Sequence, residues 1–162
     1  VISGVADQAA RRIRRLVYWN AFVPLRGQCL NDMVPPNYVT LFDSIAKAHN
    51  NAVMLPEMIW REAFINDADA ALAAQAYRTL NPQPYRTFTD KIALSTEVAA
   101  MPMGKSYVNF TEDAAMPHSL TWHPRLSEKL GLFRLVQGPG SHEVCFTNPA
   151  LLAHKLIEAG RD

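Results

Sequence analysis

The stretch Leu132-Phe-Arg-Leu-Val-Gln-Gly-Pro-Gly-Ser-His142 decides how the chain is read, because an apolar run passes directly into a glycine-proline-glycine loop that ends on a histidine. Residues 132–137 read as a strand. Gly138 and Gly140 allow the tight loop that would bring His142 over the sheet edge. The pattern recurs upstream, where Ser106-Tyr-Val-Asn-Phe110 within strand 104–110 leads to Asp113. An acid and an imidazole just beyond the carboxyl ends of two strands is where open α/β sheets keep their chemistry. On bare residues both have plainer readings: Asp113 as a turn-capping aspartate, His142 as a loop histidine facing water. The neighbouring Glu112 is a minor alternative to Asp113.

Composition narrows the function classes. With 162 residues, 49% apolar, 19% charged and a formal net charge of +1, the chain has ordinary globular composition and room for one domain with a real core. Neither nucleic acid nor a charged polymer is indicated. The basic stretch Arg11-Arg-Ile-Arg-Arg15 suits a solvated helix end, with a phosphate site as the alternative. Cys29 and Cys145 share no CxxC spacing, so neither a disulfide framework nor a zinc site is expected, and a reducing, cytoplasmic compartment fits. No apolar run approaches the roughly 20 residues of a membrane-spanning helix, so no membrane partner is expected. His118 and His123 match no common zinc spacing, and no metal or other cofactor is expected.

Along the chain, strand and helix alternate around a helical interruption. Residues 1–12 read as the tail of a helix, and Leu16-Val-Tyr-Trp-Asn-Ala-Phe22 as a strand buried on both faces of a parallel sheet. From about Gln28 to Thr89 helices are separated by prolines. One is expected over Tyr38 to His49, capped by Asn37, with Leu41, Ile45 and Ala48 on one face; another over Ala68 to Leu80, introduced by Asn66 and Asp67. A helix ending near Gly131 should follow Asp113. Asn148 and Pro149 then open a last helix with Leu152 and Leu156 inward. The result is an α/β core with a lid: core 1–27, helical lid 28–89, core 90–162.

Four motifs occur in order: Leu16 to Pro24, Asn66-Asp67 to Pro84, Phe110-Thr-Glu-Asp-Ala-Ala-Met-Pro117, and Gly140-Ser-His-Glu-Val144. Together they resemble the C-terminal part of an α/β-hydrolase, of the branch holding methyl esterases, hydroxynitrile lyases and pyrethroid-type carboxylesterases. The resemblance implies about three parallel strands with flanking helices, carrying a helical lid. It also implies a triad in the chain order serine, acid, histidine, with Asp113 the acid and His142 the base. The serine of a G-x-S-x-G elbow would lie about five residues upstream of Val1, by the family's spacing. Ser3 does not replace it, since no glycine stands two residues before it.

The implied reaction is cofactor-free hydrolysis of a small-molecule ester through an acyl-enzyme, with Asp113 fixing the imidazole tautomer. Trp19, at the end of the first strand, and Met54, Trp60 and Phe64 are the candidate substrate-binding residues, the last three within a soft aromatic lid set that includes Met33, Met58 and Tyr77. Those lid residues serve equally as plain lid core, and Asn20 shares with Trp19 the end of the first strand. A hydroxynitrile lyase or cofactor-free dioxygenase is the alternative on the same fold; the lyases carry a lysine near the histidine loop, absent from Gly138 to Val144. A non-catalytic binding fragment is the other. The expected partner is the N-terminal half of the fold, with self-association as an alternative because the first strand would otherwise expose an apolar edge.

Overall fold

A computed structural model describes residues 1–161. Its strands are β1 (Arg15–Trp19), β2 (Ala52–Val53), β3 (Gln83–Pro84), β4 (Gly104–Phe110) and β5 (Arg134–Gly138). Its α-helices are α1 (Ile2–Ala9), α2 (Pro36–Ala48), α3 (Glu57–Ile59), α4 (Ala70–Tyr77), α5 (Arg86–Thr89), α6 (Val144–Thr147) and α7 (Pro149–Gly160). The sheet that carries the fold is parallel in the order β1-β4-β5, with Tyr18 opposite Tyr107 and Val108 opposite Val136.

Alternation along the strands covers both faces of this sheet. Leu16, Tyr18 and Tyr107 enter one core cluster with Met116, Trp122, Leu126 and Leu130. Val108, Phe110 and Val136 enter the other beneath Leu152 and Ala159 of α7, joined by the half-buried Val17 and Trp19. Burying both faces is what a parallel sheet requires, and it accounts for the unbroken apolar run at Leu16. Ser3, the serine nearest the N-terminus, is buried and hydrogen-bonded to the Tyr18 hydroxyl at 2.9 Å.

Local details depart from the sequence reading for identifiable reasons. The first long lid helix starts at Pro36 after Pro35; Asn37 therefore lies inside the first turn and does not cap it. Its buried positions are Phe42 and Ala46, one residue on from the expected Leu41 and Ile45, and Ala48 is exposed. The alanine-rich helix is shorter than expected, and Asp69 caps it by accepting from the Leu72 amide at 2.8 Å. Asn66 and Asp67 are thereby released for longer-range work. Segment 28–89 also contains a strand pair, β2 against β3, entered through Asn50 and Asn51 at φ 52° and 60°. Between Asp113 and Gly131 the expected helix is replaced by 3-10 turns over His118–Leu120 and Ser127–Leu130. Trp122, Leu126 and Leu130 mimic helical spacing, but Pro117 and Pro124 interrupt the ladder. In α7, Asn148 caps as expected and Leu152 is buried, whereas Leu156 is 36% exposed.

One irregular turn shapes the site. After α3 the chain widens into a π-turn over Trp60–Phe64, closed by a hydrogen bond from the Ile65 amide to the Trp60 carbonyl at 3.1 Å. Such turns insert one residue into a helix and are frequent at functional sites. Here the turn buries Trp60, whose indole N–H donates to the Ala73 carbonyl at 3.2 Å, and brings Phe64 to the histidine loop.

Candidate active site

The loops after β4 and β5 are fastened to each other before they reach any functional side chain. The Thr111 amide donates to the Gly138 carbonyl at 3.0 Å and the Glu112 amide to the Gly140 carbonyl at 3.1 Å. Gly140 has φ 130°, and a Cβ there would stand 3.0 Å from Val144 and 3.4 Å from Phe110. Glycine is required by both the backbone angle and the close approach.

On this double loop Asp113 meets His142. The Asp113 Oδ2 lies 2.6 Å from His142 Nδ1, and the two side chains are 1% and 23% exposed. Asp113 Oδ1 accepts from the Ala115 amide at 2.8 Å, and Oδ2 also accepts from Asn20 Nδ2. Burial acts to raise the Asp113 carboxyl; the hydrogen bond and charge of His142, with the Asn20 and Ala115 donors, outweigh it and hold the group below its ordinary value. An ionised Asp113 fixes the proton of neutral His142 on Nδ1 and leaves the lone pair on Nε2, the form able to accept and return a proton. Glu112 is exposed, and its side chain takes no part in this pairing.

Asn20 is the residue that sequence reasoning left without a role. It stands one step past β1 at φ 32°, a conformation asparagine tolerates better than most residues. Its amide donates to the Val108 carbonyl at 3.0 Å; its Oδ1 accepts from the Phe110 amide at 2.8 Å. The side chain thus continues the β1–β4 ladder for one more rung and points its remaining donor at Asp113. Its neighbour Trp19 packs elsewhere. By strand alternation Trp19 lies with Phe110 and Val136 on the α7 side, edge-on to Phe110 at 6.2 Å, and so does not line the cavity beside His142.

That cavity is largely apolar, measures about 490 Å³ and is walled by the sheet loops and by residues of segment 28–89. Met54, Trp60 and Phe64 line it, together with Phe22, Tyr38, Phe42, Trp122 and Glu143. Among the other lid candidates, Met33 is buried in the main core, Met58 is 72% exposed, and the Tyr77 hydroxyl donates to the Leu55 carbonyl at 2.7 Å. The His142 ring stacks on Trp122 with centroids 5.2 Å apart and meets the edge of Phe64 at 5.2 Å. Residues 64–67 also bind the loops directly. The Phe64 carbonyl accepts from the Glu143 amide at 3.1 Å, and Asn66 Nδ2 donates to the Glu112 carbonyl at 3.0 Å. Asp67 accepts from the Ser141 amide at 3.1 Å and the Thr147 hydroxyl at 2.9 Å.

Several other polar groups fall outside the site. His123 Nδ1 pairs with the Ser127 hydroxyl at 2.7 Å, and among the described residues no cluster of three or more His, Cys, Asp or Glu is arranged to hold a metal ion. Cys29 and Cys145 are free thiols, the latter pushed up to about 11, first by burial and then by Glu143. Arg15 is turned into the fold, donating to the Lys105 carbonyl and the Ser106 hydroxyl at 3.2 Å each, while Arg11 and Arg12 are exposed. Among the described residues no helix is long and apolar enough to cross a membrane.

Comparison with known proteins agrees with this architecture. No family model matches the chain. A carbendazim hydrolyzing esterase from Nocardioides sp. (strain SG-4G) is 29% identical over 168 residues, spanning 99% of this chain and 66% of the relative. An extracellular alpha/beta-hydrolase from a Paenibacillus species superposes with a TM-score of 0.94 at 35% identity, over 99% of this chain and 67% of that one. Polyneuridine aldehyde esterase (TM-score 0.70, 12% identity, 99% and 67% covered) and a pyrethroid hydrolase from Sphingobium faniae JZ-2 (0.68, 18%, 97% and 64%) share the fold. The chain spans just under two thirds of the length of its curated relative. The three-stranded parallel sheet and its helices match the C-terminal half of this fold, and the chain belongs to the α/β-hydrolase family.

Proposed function

We propose that this chain supplies the acid and the general base of a serine carboxylic ester hydrolase. The observation that carries the reading is the 2.6 Å pair of Asp113 and His142 Nδ1, on a ring that lines an apolar cavity of about 490 Å³. The names of the relatives, an esterase and a pyrethroid hydrolase among them, support the same chemistry.

In the proposed cycle His142 Nε2 takes the proton of a serine hydroxyl as its oxygen attacks the ester carbonyl. The imidazolium is stabilised by Asp113 and returns that proton to the departing alcohol, leaving an acyl-serine. Water then repeats the sequence, giving the acid and restoring the serine. The serine and the donors for the developing oxyanion would come from the preceding part of the fold, lying along β1. Among the described residues that strand pairs with β4 alone, which supports this partner. The cavity with Met54, Trp60 and Phe64 would hold the substrate, and residues 28–89 would act as the lid. The free thiols support a cytoplasmic setting.

The test is p-nitrophenyl acetate turnover by the complete hydrolase and by its His142→Ala variant. Turnover that survives the substitution removes His142 from the mechanism.

A further inference from the structure

Glu143 is the only carboxylate side chain among the described residues that line the cavity, and no lysine or arginine lines it. It is half-buried, and its hydrogen bonding within the chain is weak: the Cys145 thiol approaches Oε2 at 3.5 Å, and no ion pair engages it among the described residues. Its backbone is held in place, because its amide donates to the Phe64 carbonyl at 3.1 Å and to the Ser141 hydroxyl at 3.2 Å. A carboxylate partly withdrawn from water with neither a cation nor strong donors is a costly arrangement in an apolar wall. The neighbouring imidazole does not satisfy it, since His142 Nδ1 is engaged by Asp113. Burial first of all, and Asp113 in smaller part, hold the Glu143 carboxyl above its ordinary value against the opposing charge of His142. The other walls are largely apolar, with the rings of Trp60, Phe64 and Trp122 set among leucine, valine and methionine side chains, and the rings of Phe64 and Trp122 lie against His142, next to Glu143.

We propose that Glu143 makes this cavity selective for aromatic substrates that carry N–H donors on a protonated or readily protonated nitrogen, as in amidines and amino-heterocycles. The aromatic walls take the ring, and the carboxylate takes the donors in a charge-assisted, paired contact. Anionic ligands are disfavoured by the same group. This selectivity goes beyond ester hydrolysis. It rests on the hydrolase reading only for the chemistry after binding, since the recognition itself needs no serine.

The experiment is calorimetric binding of benzamidine, benzyl alcohol and benzoate to the complete hydrolase and to Glu143→Gln, alongside p-nitrophenyl acetate turnover. Benzamidine should bind roughly tenfold or more tightly than benzyl alcohol, in line with a charge-assisted pair, and benzoate should bind most weakly. Glu143→Gln should abolish the preference for benzamidine while keeping the affinity for benzyl alcohol, which also reports that the cavity is intact. Equal affinities for the three ligands in the parent protein, or an unchanged benzamidine preference in the variant, would overturn the proposal. A variant that loses all three together also overturns it, since Glu143 would then be holding the cavity wall and not reading the ligand. Selective benzamidine binding without ester turnover would leave Glu143 standing and sink the hydrolase reading instead.

Discussion

The loops after β4 and β5 and segment 28–89, the proposed lid, both touch His142, but they are held by different forces. The strand loops are joined by hydrogen bonds from 2.6 to 3.1 Å, running from the Glu112 amide to Asp113 and His142, around a glycine that admits no side chain. The lid meets the ring with Phe64 and otherwise presents Met54, Trp60 and the Phe42–Phe88 pair, packed by area and shape. Hydrogen bonds fix an atom to a fraction of an ångström, as proton transfer requires; apolar packing tolerates exchange of one side chain for another of similar volume. The two meet at residues 64–67, where polar lid groups bind both loops.

The sharpest way to break this contrast is on the strand side. His142→Ala should lower ester turnover by a factor on the order of 10⁶ and Asp113→Asn by on the order of 10⁴, as for serine hydrolases generally. Steady-state kinetics checks both losses, and a thermal scan checks that each variant is still folded at the assay temperature. On the lid side the main loss should be one of stability. Trp60→Ala removes a buried ring packed against Phe64, Tyr77 and Phe146 and should cost about 3–5 kcal/mol in a denaturant titration of the complete protein. A smaller effect belongs to the junction. Asp67→Ala strips the Ser141 amide and Thr147 hydroxyl of their acceptor and should cost about 1–3 kcal/mol. Because Asp67 does not line the cavity, kcat should fall while KM changes little. A pure KM effect would place Asp67 on the lid side of the comparison.

The smallest effect is one of sign. Asp113 is held below its ordinary value, so the stability it contributes is complete above the ordinary aspartate range and disappears as pH falls through the lower folded value. Glu143 is held above its ordinary value, so the folded protein keeps that proton longer, and stability falls as pH climbs from the ordinary glutamate range to the folded value. Acid-to-neutral thermal melts should show Asp113→Asn flattening the acidic limb and Glu143→Gln flattening the opposite slope. Like-signed changes would contradict the difference between the two carboxyl environments.

Much of the strand side could be read from the chain. Ser106 to Phe110 and Leu132 to Val136 are local apolar runs, and Asp113 and His142 stand within a few residues of their ends, so strand period and turn chemistry placed them, while the roles of acid and base came from the family resemblance. Asn20 and Asp67 were harder because their partners are distant in sequence: Asn20 reaches across 93 residues to Asp113 and Asp67 across 74 to Ser141. Asp67 looked like a helix cap because aspartate before an alanine run usually is one; Asp69 took that place. Trp19 and Asn20 were open alternatives at one strand end, and alternation sends the indole to the α7 side while the amide turns to the acid. The helix expected before Gly131 gives way to 3-10 turns because Pro117 and Pro124 interrupt the ladder there. The cavity draws on residues from Phe22 to Glu143, and no local pattern announces such a set.

The π-turn at Trp60–Phe64 gives the lid a way to vary in discrete steps. Removing one residue from it would restore regular α-helical winding and turn everything beyond by about 100° about the helix axis. Phe64 would swing off the His142 ring, and Asn66 and Asp67 would be drawn away from the Glu112 carbonyl and the Ser141 amide. A single-codon deletion or insertion at this turn, available to evolution or to a protein engineer, therefore reshapes the pocket and releases the loops that carry Asp113 and His142 in one step.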